Sequence, residues 1–267
     1  KFRGDTTLFA EGMEIIQRAT GWQGIGILPW FPPARFLPAE DILDIKGKAG
    51  EARDGAPVRI AVPVLRRIAN FDDLDPLAGE PDVDVVLVEA GDVIPPDADM
   101  VLLPGSKSTI SDLAFFRAQG WDIDLAAHLR RGGVVMGLCG GYQMLGTRLD
   151  DPQGVEGPAG ATDGLGHLRV ETMLAGDKRL TRVTAHANGF DRPVSGYEIH
   201  MGRTAGPDCA TPFLTLDGRP EGAMSADGRV IGTYLHGIFA DDGFRRAFLD
   251  AVAARRGGCH CADCRGA

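Results

Sequence analysis

Residues 134–145 have the sequence VVMGLCGGYQML, and this stretch decides the fold. Residues 134–138 are apolar or glycine and predict a buried strand, and a helix is predicted directly after the Gly-Leu-Cys-Gly-Gly turn. Cys139 takes the position that serine has in the nucleophile elbow of hydrolases. Such a turn strains the backbone of the nucleophile, and flanking glycines let neighbouring chain pass close. The stretch therefore predicts a strand, a sharp turn with a cysteine at its apex, and a helix.

The predicted position of Cys139 favours a reactive thiolate. The N-terminus of a helix carries partial positive charge, which stabilises a thiolate relative to a thiol. The backbone N–H of Gly140 points into the same space, where it can bind an oxyanion. The alternative is that Cys139 is a small buried apolar residue whose neighbouring glycines only permit packing. The elbow favours the nucleophile.

A nucleophilic cysteine needs a base, and two of the six histidines are candidates. His236 ends the β-like run VIGTYLH and is followed by glycine, and strand ends are where catalytic groups gather in α/β sheets. His200, in GYEIHMG, is the competitor. The pattern favours His236 without excluding His200, and either can be an ordinary hydrogen-bonded histidine.

Outward from the elbow, apolar runs of strand length alternate with segments of helical periodicity. This alternation predicts an α/β fold with a mainly parallel sheet flanked by helices. The predicted strands are residues 58–64, 83–89, 100–103 and 134–138, and the predicted helices are residues 109–120 and 123–131.

The two ends of the chain and one internal segment have patterns of their own. Residues 5–19 have helical spacing of apolar residues, and residues 24–28 predict a short buried strand. The glycine-rich residues 154–166 predict a loop. A last helix places Phe244, Ala247, Phe248, Ala251 and Val252 on one face, and Gly257-Gly258 ends it.

Two further motifs resemble a nucleotide-binding loop and a zinc site, but each lacks part of the required pattern. LLPGSKST at 102–109 resembles a phosphate loop, but a Walker loop needs two glycines and an adjacent Gly-Lys-Ser/Thr. The better prediction is a strand-end turn that supplies backbone N–H groups to an oxyanion hole. The tail Cys259-His260-Cys261-Ala262-Asp263-Cys264 has the Cys-x-x-Cys spacing of a zinc site but no second pair, so we predict no metal.

Composition restricts the partners. The net charge of −9 gives no reason to expect nucleic acid or an anionic membrane surface as a partner. No apolar run approaches the roughly 18 residues of a membrane span, and the N-terminus lacks the pattern of a signal peptide. Five cysteines in 267 residues do not form a disulfide framework. We therefore predict a cytoplasmic protein.

Several motifs together resemble the cobyric acid synthase family, in the cobalamin-pathway branch of the class I-type glutamine amidotransferases. They are VRIAVPVLRRIANFDDLDPL, DMVLLPGSKSTISDLAFFRAQGWD, GGVVMGLCGGYQMLG, GYEIHMGRT and GTYLHGIF. The likeness runs from about Val58 to Phe248, and the opening residues resemble the end of the family's ATP-dependent synthetase domain. The related enzymes that amidate the a and c positions of cobyrinic acid share the cysteine and histidine motifs, whereas the first two stretches look more like cobyric acid synthase.

The resemblance implies a domain organisation. Residues 1–45 are expected to be the C-terminal remnant of the synthetase domain, and residues 46–57, polar and rich in Gly and Ala, a linker. Residues 58–250 are expected to form the amidotransferase domain, of class I (flavodoxin-like) fold, and residues 251–267 the end of the last helix and a cysteine-containing tail. The chain opens without Met, which predicts a piece of a longer protein.

The resemblance also implies roles for site residues. Cys139 would attack the glutamine amide, with His236 as its base, which decides between the two histidines. Gly140 and the Gly105 turn match oxyanion positions. The remaining matches lie in a family motif near glutamine without individual roles: Tyr197, Glu198 and His200.

For the complete enzyme, the resemblance implies ATP and Mg²⁺, a corrinoid substrate whose carboxylates are amidated, and an N-terminal synthetase domain that contains the Walker A loop. No cofactor is implied for this domain, which is expected not to complete an ATP-driven amidation alone. The alternatives are the a,c-diamide synthase activity and a domain that binds glutamine or a partner without reacting. A peptide or ester hydrolase that uses the same elbow is a further rival.

One position departs from the family pattern. Many class I amidotransferases have a glutamate two residues after the histidine, where this chain has Ile238. Either the cysteine and histidine act as a dyad or another group orients His236, and Glu198 is the candidate that the sequence offers.

Overall fold

The structure is a computed structural model that describes residues 6–27, 29, 58–176 and 179–257. The chain divides into two compact units, residues 1–39 and 40–267. The predicted linker at 46–57 and the cysteine-containing tail lie outside the described residues. The domain boundaries predicted from the resemblance stay predictions.

Within its described residues, the first unit contains one α-helix. A 3₁₀ turn at Thr6–Phe9 leads into α1, Ala10–Thr20, which ends at Gly21 with a φ of +72°. The left-handed conformation is the one in which glycine commonly ends a helix. The strand predicted at 24–28 is wrong for its described part, because residues 24–27 have no strand conformation and Ile25 is 98% exposed. An apolar run forms a strand only where a neighbouring strand pairs with it.

The second unit contains the remaining helices and all the strands that the structure defines. Its helices are α2 Asp75–Gly79, α3 Thr109–Ala118, α4 Trp121–Arg130, α5 Gly140–Leu145 and α6 Asp242–Gly257. The strands of its main sheet are β1 Val58–Pro63, β3 Val83–Val88, β4 Met100–Leu103, β6 Val134–Leu138, β15 Ala223–Met224 and β16 Val230–Thr233. The other strands are β2 Ile68–Ala69, β5 Gly105–Ser106, β7 Arg148–Asp151, β8 Gly160–Asp163, β9 Glu171–Met173, β10 Arg179–Ala187, β11 Arg192–His200, β12 Arg203–Ala205, β13 Leu214–Leu216, β14 Arg219–Glu221 and β17 Leu235–His236.

The main sheet has the order β15-β16-β6-β4-β1-β3. Every neighbouring pair in it is parallel except β15 and β16 at one edge. Its central strands β4 and β6 are buried along their whole length, as the continuous apolar runs of the sequence predict. The predicted α/β fold, with a mainly parallel sheet and flanking helices, is confirmed.

The described part of this unit also contains smaller sheets. One has the order β14-β13-β10-β11-β17 and is antiparallel throughout. Another has the order β12-β9-β7-β8, and β2 pairs with β5. The loop predicted at 154–166 is wrong in its middle, because residues 160–163 pair with β7 as β8. Glycine signals a turn, but it does not prevent short pairing at the edge of a sheet.

The last helix packs an aromatic face on the core. Phe244, Phe248 and Val252 are buried, as the sequence predicts, and Leu249 is buried beside them. The Phe244 ring stacks near Phe239, with ring centroids 6.2 Å apart. These contacts fix α6 against the 3₁₀ turn Ile238–Ala240 that follows β17.

The parallel order brings several strand ends to one edge of the main sheet. β6 ends at Leu138, β4 at Leu103 and β16 at Thr233, and their register is Leu103 with Gly137 and Thr233 with Leu138. In open α/β sheets, ligands bind outside the carboxyl ends of such strands. The segments that follow β4, β6 and β16 therefore meet in space.

Glycines at this edge let α5 lie directly on the sheet. A Cβ on Gly141 would lie 2.2 Å from the backbone oxygen of Leu103, and one on Gly137 would lie 2.6 Å from the carbonyl carbon of Gly141. Both are backbone atoms, which cannot turn aside as a flexible side chain can. The spacing between α5 and the sheet therefore depends on these glycines.

We expect Gly141→Ala to lower the free energy of unfolding by about 1–3 kcal/mol, because the added methyl overpacks α5 against β4. Urea unfolding followed by circular dichroism measures this. Gly79→Ala is the matched control, since a Cβ there meets nothing within 4 Å, and its effect should stay within about 0.5 kcal/mol. Equal stability of the two variants would contradict the packing argument.

Candidate active site

Cys139 lies at the apex of the turn between β6 and α5, in an unusual backbone conformation. Its φ is +51° and its ψ is −106°, a region that residues with a side chain rarely occupy. Its N–H donates to Thr233 O at 2.8 Å, and its carbonyl accepts from Gln143 N at 3.1 Å as α5 begins. Hydrogen bonds on both sides therefore hold the strained residue in place, as in a nucleophile elbow.

His236 is held by a buried carboxylate. Its Nδ1 lies 2.6 Å from Asp73 Oδ2, and the other oxygen of Asp73 accepts from Gly237 N at 2.6 Å. His236 is fully buried and Asp73 is 2% exposed. With both carboxylate oxygens bound, neither Asp73 nor the imidazole can turn without breaking a buried hydrogen bond.

The surroundings of His236 favour its charged form. Burial alone would lower the pKa of His236, but the bond to Asp73 and the neighbouring Cys139 side chain outweigh it and raise the pKa to about 10. A carboxylate and a cysteine side chain that interact with one imidazole favour its charged form. The group next to Cys139 is therefore suited to hold a proton that a thiol has given up.

Asn70 contacts the other nitrogen of His236. Its side-chain amide lies 2.9 Å from His236 Nε2, and its φ is +55°. Which amide atom faces the ring depends on protonation, since a charged imidazole donates from both nitrogens and then needs the amide oxygen. Asn70 and Asp73 thus fix the ring from both sides.

The predicted oxyanion positions come together. A Cβ on Gly140 would lie 2.9 Å from Ser106 N, so the turn after β4 passes directly beside the start of α5. A Cβ on Gly105 would lie 3.1 Å from His236 Cε1. The backbone of both segments thus borders the space in front of Cys139, where N–H groups can stabilise developing negative charge.

Tyr197 and His200 lie near the site in different ways. The Tyr197 ring stacks on His236 with centroids 5.3 Å apart, and its hydroxyl donates to Asp72 at 3.3 Å. The His200 ring stacks on Tyr234 at 3.7 Å, and burial lowers the pKa of His200. Its Nδ1 is buried without a hydrogen-bond partner in the structure. Tyr197 packs against His236, whereas His200 borders the cavity at Cys139.

The suggestion that Glu198 orients His236 is corrected by the structure. Glu198 forms an ion pair with Arg219, and Asp73 takes the position next to His236 Nδ1. The physical reason is the alternation of side chains along β11. Tyr197 is paired with His236 in the register of β11 and β17, so the next residue points to the opposite face.

A second buried carboxylate fixes the end of β16, which accepts the backbone N–H of Cys139. Glu221 accepts from Thr233 Oγ1 at 2.7 Å and from Tyr234 N at 2.6 Å. Burial raises the pKa of Glu221 to about 7. Because Thr233 O accepts the N–H of Cys139, Glu221 indirectly holds the backbone of Cys139.

A small cavity opens at Cys139. Its volume is about 170 Å³. Its walls contain Ala69, Asn70, Ser106, Lys107, Thr109, Cys139, Gln143, Glu156, Ile199, His200 and Met201. The Gln143 amide bridges these walls, since its Oε1 accepts from Thr109 at 3.0 Å and its Nε2 donates to Met201 O at 2.9 Å. Cys139 therefore faces a pocket of the size of a single small molecule.

Two residues of the site, Asn70 and Asp73, were missed by reasoning from the sequence. Both lie in NFDD, directly after the two-residue strand β2, which is too short to recognise from its pattern. Polar residues in the segment between the first two strands of a parallel sheet, here β1 and β3, are a usable signal. NFDD is part of one of the motifs that resemble the family, but the resemblance implied no role for its residues.

Among the described residues, no group of three or more His, Cys, Asp or Glu side chains is placed to hold a metal ion. The tail with the Cys-x-x-Cys spacing of a zinc site lies outside the described residues. No helix in the described part of the chain is long and apolar enough to cross a membrane. The cytoplasmic location stays a prediction.

Comparison with known proteins gives a family match over most of the chain. Residues 59–244 match the family described as CobB/CobQ-like glutamine amidotransferase domain. Cobyric acid synthase of Rhodobacter capsulatus is 61% identical over 258 residues, which cover 97% of this chain and 53% of that protein. Cobyric acid synthase of Methylobacterium nodulans is 60% identical over 260 residues, with the same two coverages. The chain spans about half the length of the curated relatives it matches.

Two solved structures share the fold. The structure of PurLQS from Thermotoga maritima matches with a TM-score of 0.53 and 16% identity, over 74% of this chain and 98% of that one. A crystal structure of a glutamine amidotransferase matches with a TM-score of 0.50 and 14% identity, over 73% and 98%. The class I amidotransferase-like fold expected from the resemblance is confirmed.

We expect Cys139→Gly to be more stable than Cys139→Ala by about 1 kcal/mol, because only glycine adopts the positive φ of this turn without strain. Urea unfolding of both variants measures the difference. At Cys209, which has no positive φ, the order should reverse, since glycine there only adds freedom to the unfolded chain. A Cys139→Gly variant less stable than Cys139→Ala would show that the turn is not strained.

Proposed function

This chain belongs to the CobB/CobQ-like glutamine amidotransferase family, and from this membership we propose that it hydrolyses glutamine at Cys139 and releases ammonia. The observation that supports the proposal best is the buried contact between Asp73 and His236 beside a cysteine in a strained strand-to-helix turn. That arrangement supplies a nucleophile, a proton carrier and an orienting anion, which are the components that acyl transfer needs.

In the first half of the proposed reaction, the Cys139 thiolate attacks the side-chain amide carbon of glutamine. The amide oxygen becomes an oxyanion, which the N–H groups of Gly140 and the Gly105–Ser106 turn stabilise. His236, as imidazolium, gives its proton to the leaving nitrogen. The carbon–nitrogen bond breaks, ammonia leaves, and a glutamyl thioester remains on Cys139.

In the second half, neutral His236 takes a proton from water, and the resulting hydroxide attacks the thioester. The carbon–sulfur bond breaks, glutamate leaves, and the thiolate and imidazolium are restored. The net reaction is glutamine plus water to glutamate plus ammonia. Asp73 stays ionised throughout and holds the ring in one orientation.

We propose that this ammonia serves the amidation of corrinoid carboxylates in cobalamin biosynthesis. The support is the name cobyric acid synthase that relatives about 60% identical to this chain have. The expected conversion is adenosylcobyrinic acid a,c-diamide to adenosylcobyric acid. Amidation at the a and c positions, which related enzymes perform, is the alternative.

ATP and Mg²⁺ remain proposals for the complete enzyme. The one phosphate-loop-like stretch of this chain does not suit a nucleotide. Gly105 and Ser106 pair with β2, and Ser106, Lys107 and Thr109 border the small cavity at Cys139. We therefore assign ATP to the synthetase part of the longer relatives, which is also the proposed partner of this domain. The chain alone is expected to hydrolyse glutamine without amidating a corrinoid.

We expect Asp73→Asn to lower kcat for glutamine about 10²- to 10⁴-fold, because His236 loses the anion that orients and charges it. The pH profile gives a second readout. With Asp73 in place the pKa of His236 is about 10, and activity should fall above that pH as the imidazolium is lost. In Asp73→Asn, burial still lowers the pKa of His236 with less opposition, so the alkaline limb should move to lower pH.

The control for Asp73→Asn is Asp72→Asn, which removes the neighbouring carboxylate that accepts a hydrogen bond from the Tyr197 hydroxyl. Its alkaline limb should stay near that of the wild type. An unchanged limb in Asp73→Asn would show that Asp73 does not set the charge of His236.

The proposed function itself is tested by glutamate release from glutamine, with and without the synthetase half of a relative. Wild type and Cys209→Ala should be active, and Cys139→Ala should be inactive. A glutamine-analogue chloroketone should modify Cys139 and leave Cys209 unmodified. Peptides and esters should not be turned over.

Glutamate release that survives Cys139→Ala would contradict the mechanism. Turnover of peptides or esters without chloroketone labelling would favour a cysteine hydrolase. Absence of glutamate release and of labelling, even with the synthetase half present, would favour a domain that binds glutamine or a partner without reacting.

A further inference from the structure

Two side chains of opposite charge border the cavity at Cys139, and the mechanism above uses neither. They are Lys107, on the turn after β5, and Glu156, on the loop between β7 and β8. Apart from them, the walls that surround the cavity consist of neutral or histidine side chains. A cation and an anion at one small cavity match a ligand that carries both charges.

The backbone around Glu156 is built to hold this side chain in place. Asp151 is fully buried, and its two carboxylate oxygens accept from Val155 N at 2.7 Å and from Glu156 N at 2.9 Å. The turn passes through Gly154 with a φ of +67°. A buried carboxylate that binds successive backbone N–H groups fixes a loop in a single shape.

The Glu156 carboxylate is itself directed over α3. Its Oε2 accepts from Ile110 N in the first turn of that helix at 2.9 Å. This bond uses one oxygen and leaves Oε1 available on a half-buried carboxylate at the cavity. A carboxylate anchored by one oxygen is well placed to accept a charged hydrogen bond with the other.

Lys107 stands on a turn that is equally fixed. Its N–H donates to Arg67 O at 2.8 Å, and the preceding Ser106 hydroxyl donates to the fully buried Asp112 at 2.7 Å. Among the residues that the structure describes, the Lys107 ammonium forms no ion pair. Its positive charge therefore lies at the rim, beside the same turn that borders Gly140.

We propose that Glu156 binds the α-ammonium group and Lys107 the α-carboxylate of the amino acid whose side chain reaches Cys139. The inference rests on the proposed glutamine hydrolysis and adds what selects the substrate. The free zwitterion would be recognised by both ends, whereas a glutamine inside a peptide has neither charge.

The size of the cavity agrees with this selection. At about 170 Å³ it is smaller than the roughly 300–1,000 Å³ of pockets for drug-sized ligands. A free amino acid fits such a volume, and a peptide chain does not. In a site of this size, recognition of the charged head also positions the amide, because the two methylenes between them leave little freedom.

The test compares glutamate release by wild type, Glu156→Gln and Glu171→Gln, the last a matched change at an exposed glutamate on β9. For glutamine, kcat/KM should fall about 10- to 100-fold in Glu156→Gln, mainly through KM, and stay unchanged in Glu171→Gln. For glutaramate, which is glutamine without its α-amino group, wild type and Glu156→Gln should be equally slow.

Lys107→Met should show the complementary pattern. Its kcat/KM should fall for glutamine but not for γ-aminobutyramide, which is glutamine without its carboxylate. Lys107→Arg should recover most of the loss because it keeps the positive charge. The fall should be smaller than that of Glu156→Gln, since Lys107 is exposed to solvent.

A labelling experiment separates the two possible failures. Iodoacetamide has no amino-acid head, so it should alkylate Cys139 equally fast in wild type and Glu156→Gln, whereas the glutamine-analogue chloroketone should react more slowly with Glu156→Gln. Equal kcat/KM and equal chloroketone rates in an active wild type and Glu156→Gln would overturn the inference alone. A wild type that neither hydrolyses glutamine nor reacts with the chloroketone would overturn the proposed function and the inference with it.

Discussion

The whole site depends on how closely α5 lies on the main sheet. Gly137 and Gly141 have no Cβ, and a Cβ on either would lie 2.6 Å or less from a backbone atom of a neighbouring segment. Because the helix starts so close to the sheet, the chain must reverse within one residue, and that residue takes the positive φ seen at Cys139. The same closeness puts Gly140 against Ser106 and so joins the two backbone segments that border the thiol. The packing of α5 on the sheet thus determines both the conformation of Cys139 and the backbone groups that surround its thiol.

The site also depends on an electrostatic interaction, the contact between Asp73 and His236, which lies where the parallel and antiparallel sheets meet. His236 lies in β17, which pairs with β11 of the antiparallel sheet, while Thr233 just before it ends β16 of the parallel sheet. Asp73 reaches the same point from the loop after β2. A buried carboxylate is costly unless both its oxygens are bound, and here one binds the imidazole and the other the backbone of Gly237. Removing either partner would leave a buried charge uncompensated, so the three segments hold one another in register.

The parts of the structure that sequence predicts well are those with a local signal. The buried runs of β1, β3, β4 and β6 and the elbow at Cys139 have both the right periodicity and the right turn residues, and the structure confirms the strands within one residue. His236 and Gly140 could be predicted as site residues because they adjoin such elements, and their roles stay predictions. The strand predicted at residues 24–28 is absent from its described part, residues 24–27, because pairing, which is not local, decides whether an apolar run becomes a strand. The contacts of Asp73 and Glu156 could not be predicted, since each is made with a partner 163 or 46 residues away in sequence.

These long-range partners explain why the parallel sheet alone does not make the site. It supplies Cys139 and the predicted oxyanion positions on rigid strand ends, where small errors of position are excluded by packing. His236, Asp73, Lys107 and Glu156 come from loops and from the antiparallel sheet. Four buried carboxylates accept hydrogen bonds from these segments or from the strand end beside Cys139: Asp73, Asp112, Asp151 and Glu221. The sheet thus determines where the proposed reaction takes place, and the buried acids determine which groups surround Cys139.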